Sequence, residues 1–237
     1  MTIANINMRD IDCLREEIDA LDEELLALIE RRLDLAASIA AAKAEEDEEG
    51  ELLLRPAREA SIIARLASMT TRIPRESITA IWRELMAINL QAQRPIEIAL
   101  SAERHPARIQ LMARARFGTI LPIRETTSPQ AALAKARSGS AIALIEIGEG
   151  DWWADLAAEP DLVIIDGLLA EGGRGSALAV GRLSADRLCE DRSYEVLERS
   201  ELAARLGRGE VVCPLAASGD RHLCVIERVA PLARRAA

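Results

Sequence analysis

The chain has 237 residues, of which 49% are hydrophobic and 29% charged; this is the profile of one large or two modest globular domains and excludes a disordered chain. A formal net charge of -9 argues against nucleic acid and against anionic membrane as partners, because both need a broad basic surface, so any anion site must be a local basic cluster. Aromatic residues are only 2%, which leaves Ala, Leu and Ile to build the cores.

The first ten residues show no basic stretch followed by an apolar one, and no apolar run approaches the length of a membrane span, so the expected setting is the cytoplasm. Cys13, Cys189, Cys213 and Cys224 have no CxxC spacing, and His105 and His222 stand outside any ligand-like cluster. Reduced core thiols are expected, with no metal site.

In chain order, Ile11 to Lys43 reads as one long helix. Ile11, Leu14, Ile18, Leu21, Leu25, Leu28, Leu35 and Ile39 recur at 3–4 spacing with no Gly or Pro between them. At about 1.5 Å per residue it extends roughly 50 Å, more than a compact domain of this size can cover alone. A partner chain is the simplest cover for the stripe. The acidic run Glu45 to Glu51, with Gly50, predicts a solvated turn. Pro56 opens a second helix with Ile62, Ile63, Leu66 and Met69 on its apolar side. Thr70 to Pro74 interrupts, and a third helix runs from about Arg75 to Gln93. Its core face is expected to be Ile78, Ile81, Trp82, Leu85 and Ile88, with Pro95 closing it.

From about Pro106 the texture changes. Ala107–Phe117, Pro129–Arg137 and Ser200–Leu206 read as helices, the second with Ser128 as N-cap and Gly139 just past its end. Short β-rich runs lie at Ala141–Ile147, Leu162–Asp166, Ala177–Leu183, Tyr194–Leu197, Val211–Leu215 and Leu223–Val229. This alternation predicts an α/β domain. The expected organisation is α + α/β: residues 1–100 as an all-α domain and 101–237 as a smaller α/β domain. The glycine-rich stretch Glu171–Gly175 does not follow a strand and open a helix, so it reads as a plain loop.

Several polar residues interrupt the first domain's apolar pattern. Continuing Ile11, Ile18 and Leu25 by seven reaches Arg32, a guanidinium where packing asks for leucine. Such a charge is costly unless paired, and an ion pair or a snorkelling side chain is the plain alternative. Lys43, about three turns further along nearly the same face, is the only lysine in the first hundred residues. Arg15 lies roughly 25 Å from Arg32 along the axis and cannot meet the same small ligand within one helix, although the two ends would approach in an antiparallel dimer. Arg58 and Glu59 follow Pro56 where free N–H groups favour an anion. Asn89 and Gln93, spaced i, i+4, share a helix face beside Leu85 and Ile88, where partial burial is expected.

Leu14-Arg-Glu-Glu-Ile-Asp-Ala-Leu-Asp22, Leu25-Leu-Ala-Leu-Ile-Glu-Arg-Arg32, Ala41-Ala-Lys43, Arg55-Pro-Ala-Arg-Glu59 and the Asn89/Gln93 pair together resemble the all-α bacterial chorismate mutases over about Ile11 to Gln93. The resemblance implies a three-helix domain that forms an intertwined helical homodimer and rearranges chorismate to prephenate without a cofactor. It further implies that Arg32 and the partner's Arg15 bind the two substrate carboxylates, with Arg58 adding positive charge. Glu59 would accept a hydrogen bond from the ring hydroxyl, and Lys43 and Gln93 would donate to the ether oxygen. Arg55 stands where some members have an acidic residue and Asn89 where some have serine, two departures that bear on affinity.

The second domain resembles prephenate dehydratase through Arg114-Ala-Arg-Phe-Gly118, the Ala141–Ile147 strand and Asp151-Trp-Trp153. It lacks that family's Thr-Arg-Phe, with Ser176-Ala-Leu178 near the expected place. A degenerate, stabilising or ligand-sensing domain is therefore expected. The rival readings are a bifunctional mutase–dehydratase, a lyase releasing pyruvate from isochorismate on the same scaffold, and a helical dimerisation module whose polar residues only fix register.

Overall fold

A computed structural model describes residues 8–43, 50–148, 150–159, 161–170, 175–189 and 191–228. The chain divides into two compact units, Met1–Asp47 and Glu48–Ala237. Among the described residues the first contains one helix, α1 (Met8–Lys43), uninterrupted as its lack of Gly and Pro predicts. Its apolar stripe is largely open: Leu14, Ile18, Leu21, Leu25, Leu28, Leu35 and Ile39 are each between 50% and 62% exposed.

In the second unit, α2 (Pro56–Ser68) and α3 (Arg75–Gln93) pack on each other. Both begin beside a proline, at Pro56 and at the N-cap Pro74, where a missing N–H costs nothing. Next come β1 (Glu97–Ser101), α4 (Pro106–Phe117), β2 (Ile123–Glu125), α5 (Pro129–Arg137), β3 (Ala141–Glu146), a 3-10 turn at Trp152–Ala158, β4 (Val163–Leu168) and β5 (Ala177–Gly181). These strands form one mixed sheet in the order β2-β1-β3-β5-β4. β1 is parallel to β2 and β3, and β5 is antiparallel to both β3 and β4. β6 (Arg192–Glu198), α6 (Arg199–Gly207), β7 (Val211–Ser218) and β8 (Arg221–Glu227) make a three-stranded antiparallel sheet, β6-β8-β7, with its own small core of Leu197, Leu202, Val212, Cys224 and Ile226.

The period-2 alternation of strands divides the five-stranded sheet between two cores. Ile98, Leu100, Ile142 and Leu144 face α4, α3 and the segment leading into α2, packing with Ile109, Phe117, Ala87, Leu90, Leu52 and Leu54. Ala99, Ala143, Ile145, Leu178 and Val180 face α5 and the 3-10 turn, packing with Leu133, Trp153 and Leu156. Both faces being covered explains why β3 and β5 are buried at every residue. In β4 a bulge between Ile164 and Asp166 breaks the alternation. Ile164 turns to one core, while Ile165 and Asp166 both turn to the α4 side.

Several expectations need correction. The five-stranded sheet begins at Glu97, ahead of the change in texture near Pro106, and neither β1 nor β2 was anticipated. Residues 45–49 of the acidic run lie outside the described residues, as do 171–174 of the glycine-rich stretch. Glu51, at the end of that acidic run, is buried rather than solvated. Its carboxylate faces Arg187 at 3.5 Å and its carbonyl accepts from Arg94 Nη1 at 2.7 Å, while the Leu52 N–H donates to the Arg182 carbonyl. On α3 the buried side chains are Ile78, Ala87, Asn89 and Leu90, whereas Ile81 is exposed. Of the four free thiols only Cys224 is buried; Cys13 and Cys213 are exposed. The expected end signals of α5 are present: Ser128 Oγ accepts from the Ala131 N–H as an N-cap, and Gly139 takes a positive φ of 71° just past the helix.

Candidate functional site

The expected site residues fall in both units. On α1, Arg15 is exposed and pairs at 3.0 Å with Asp12, one turn away. Arg32 is partly buried; burial lowers its guanidinium pKa, and its Nη1 makes no hydrogen bond. Lys43 is the last residue of the helix. Among the described residues the Arg32 Nη1 is without a partner, and an anion there would recover its desolvation cost.

In the second unit, Arg55 precedes α2 and its carbonyl accepts from the Glu59 N–H at 2.9 Å, closing the first turn. Arg58 is exposed in that turn. Glu59 is largely buried, and Arg116 Nη1 donates to its Oε2 at 3.0 Å. Asn89 is buried on α3, while Gln93, one turn on, is exposed. The expectation of partial burial for that pair therefore holds for Asn89 and fails for Gln93. The cause is local: α3 ends at Gln93, and Arg94 already has extended backbone.

Around Glu59 lies a charge cluster that sequence reasoning missed. Arg116, in the last turn of α4, donates Nε to Asp166 Oδ2 at 2.6 Å as well as Nη1 to Glu59. Burial by itself lowers the Arg116 pKa, but the two carboxylates outweigh it through charge and hydrogen bonding, and the net shift is upward. The group is a fixed cation. Arg83 of α3 sits nearby, its pKa lowered first by burial and then by Arg116, and its Nη1 donates to the Ala115 carbonyl at 3.2 Å. A cavity of about 20 Å3, the size of one water molecule, is lined by Glu59, Arg83, Arg116, Leu54 and Phe117. The only trace in the sequence was the Arg114-Ala-Arg116-Phe-Gly118 stretch, and nothing in its spacing pointed to Glu59.

At the carboxyl ends of β1 and β3, Glu146 is fully buried. Its Oε1 meets His105 Nδ1 at 2.6 Å and its Oε2 accepts from the Arg104 and His105 N–H groups at 3.0 and 3.3 Å. The pair ties the β1–α4 loop to the centre of the sheet. Nearby, Ser176 Oγ accepts from the Ala170 N–H at 3.0 Å and is buried. A cavity of about 550 Å3 separates the edge strands β4 and β6 and is lined by Ile164, Leu188, Cys189, Tyr194 and Val196 among others. Among the described residues there is no group of three or more His, Cys, Asp or Glu able to hold a metal ion, and no helix long and apolar enough to cross a membrane.

Residues 14–94 match the family model of chorismate mutase type II. No curated protein and no solved structure matches the chain.

Proposed function

We propose, from the premise that the chain carries a chorismate mutase type II domain over residues 14–94, that it rearranges chorismate to prephenate in a site shared between two copies. The observation that carries the activity is the family match. It spans every polar position of the expected site, Arg15, Arg32, Lys43, Arg55, Arg58, Glu59, Asn89 and Gln93.

The reaction breaks one C–O bond and forms one C–C bond within a single molecule, exchanging no proton or electron with an outside group. What the protein can contribute is restraint and charge. Arg32, Arg58 and the partner's Arg15 hold the two carboxylates, so that the enolpyruvyl arm folds over the ring before the barrier is climbed. Lys43 and Gln93 donate to the ether oxygen, where negative charge grows in the transition state, and each such donor is worth about 3 kcal/mol. Glu59 accepts from the ring hydroxyl. The Arg32 Nη1, which has no partner among the described residues, supports its part, and the open stripe of α1 supports the shared site, because a globular chain seldom leaves so long an apolar row uncovered.

The test is chorismate consumption, with prephenate and pyruvate measured as products. Wild type converts chorismate to prephenate, and Lys43→Ala and Gln93→Ala each lower kcat/KM by about 100-fold. Intact chorismate, or pyruvate in place of prephenate, would refute the assignment.

A further inference from the structure

Glu59, which the mutase reading makes a substrate contact, is held from the part of the chain that lies outside the family match. Arg116 belongs to α4, beyond residue 94, yet its guanidinium spans from the first turn of α2 to β4. Nη1 reaches Glu59 Oε2 at 3.0 Å and Nε reaches Asp166 Oδ2 at 2.6 Å. The guanidinium carbon stands 4.9 Å from the centre of the Phe117 ring, and the arginine side chain is only 12% exposed.

Each link behind Arg116 is itself fixed. Asp166 Oδ1 accepts from the Gly167 N–H at 2.9 Å, which leaves Oδ2 for the arginine. The bulge in β4 is what turns Asp166 toward α4; a regular strand would send it to the opposite face. The sheet thus grips the arginine, and the arginine grips one oxygen of Glu59. Among the described residues, the Glu59 side chain is held through Oε2 alone.

We propose that Arg116 is a positioning residue of the mutase site: by anchoring Glu59 Oε2 it keeps Oε1 presented to the substrate's ring hydroxyl, and so makes turnover depend on the α/β domain. This rests on the mutase reading and on the place of Glu59 within it. A glutamate has three rotatable side-chain bonds, and an unanchored one spends most of its time away from a productive geometry. Displacements near 1 Å can cost about 100-fold in rate.

The experiment uses the full-length chain, with kcat and KM for chorismate measured on wild type, Arg116→Met, Arg116→Lys, Asp166→Asn and Glu59→Gln. Arg116→Met and Asp166→Asn are also made in the Glu59→Gln background, and circular dichroism and thermal unfolding check every fold. Arg116→Met should lower kcat/KM by about 10- to 100-fold, with Arg116→Lys recovering part of the loss. In the Glu59→Gln background the same Arg116→Met change should cost under about 2-fold, since the group it positions is already altered. An equal loss in both backgrounds would mean a purely structural arginine and would overturn the proposal, as would full activity in a folded Arg116→Met. Should Arg116→Met not fold, Asp166→Asn decides: a loss confined to the Glu59 background supports the proposal, and no loss overturns it. A wild type that leaves chorismate intact removes the mutase reading and this proposal together, whereas an active wild type with an indifferent Arg116 removes this proposal alone.

Discussion

On the proposed shared-site reading, placing glutamate at both Leu21 and Leu28 should leave an inactive monomer. The two leucines are seven residues apart on α1 and 62% and 55% exposed in the single chain. Full burial of a leucine is worth about 1.5–3 kcal/mol, so covering the exposed half of each contributes roughly 1 kcal/mol or more. With two leucines on each of two chains, the double change removes about 4–6 kcal/mol of association energy, which weakens a dimer by three to four decades in Kd. Four carboxylates crowded along one interface add repulsion. The helix itself should survive, because glutamate is close to leucine in helix propensity. Sedimentation at about 10 μM protein, with circular dichroism and chorismate turnover on the same samples, reads the result. Unchanged helicity with a monomer and lost turnover is the expected pattern. A double variant that remains a fully active dimer would show that this stripe is not the interface and that Arg15 is not donated across it.

Glu146→Ala should destabilise the second unit by about 3 kcal/mol or more, because it strips buried partners from two backbone N–H groups and the His105 ring; urea unfolding measures this, and a change under about 1 kcal/mol would refute the clamp. Incubation with prephenate should yield no phenylpyruvate above the uncatalysed rate, since the Thr-Arg-Phe sequence is missing and Ser176 is buried as an acceptor for the Ala170 N–H. Alkylation coupled to mass spectrometry should label Cys13 and Cys213 first and Cys224 last near neutral pH. Burial pushes the Cys189 and Cys224 thiols above their ordinary value, so their labelling should climb at a higher pH than that of an ordinary thiol.

The helices were legible because their signals are local. Pro56, Pro74, Ser128 and Gly139 mark ends by their own backbone chemistry, and the α1 stripe sustains its period over several heptads. β1 and β2 were missed for the opposite reason: Glu97–Ser101 and Ile123–Glu125 are five and three residues long, too short for an alternation to register, and only their parallel neighbours make them strands. The exposure of Ile81 and burial of Ala87 were equally hidden, since α3 gives one side to the sheet's core and the apolar count alone does not say which. Candidate site positions could be picked from the spacing of charges in an apolar pattern. The Arg116 bridge could not, because Glu59 and Asp166 are brought to one guanidinium only by the helix crossing and by a bulge in β4.

The segment Glu51–Leu54 has a practical consequence for anyone dissecting this gene. Leu52 and Leu54 are wedged beneath the five-stranded sheet, with Ala87 and Leu90 beside them, so the end of the family-matched region shares its foundations with the α/β region. A stop codon placed after residue 100 would look harmless on a map of sequence families. It would strand those four side chains in water and leave Glu51 and Glu59 without the cations, Arg187 and Arg116, that face them in the full chain. The expected product is an aggregate, and a piece that keeps this floor has to reach at least as far as Arg187.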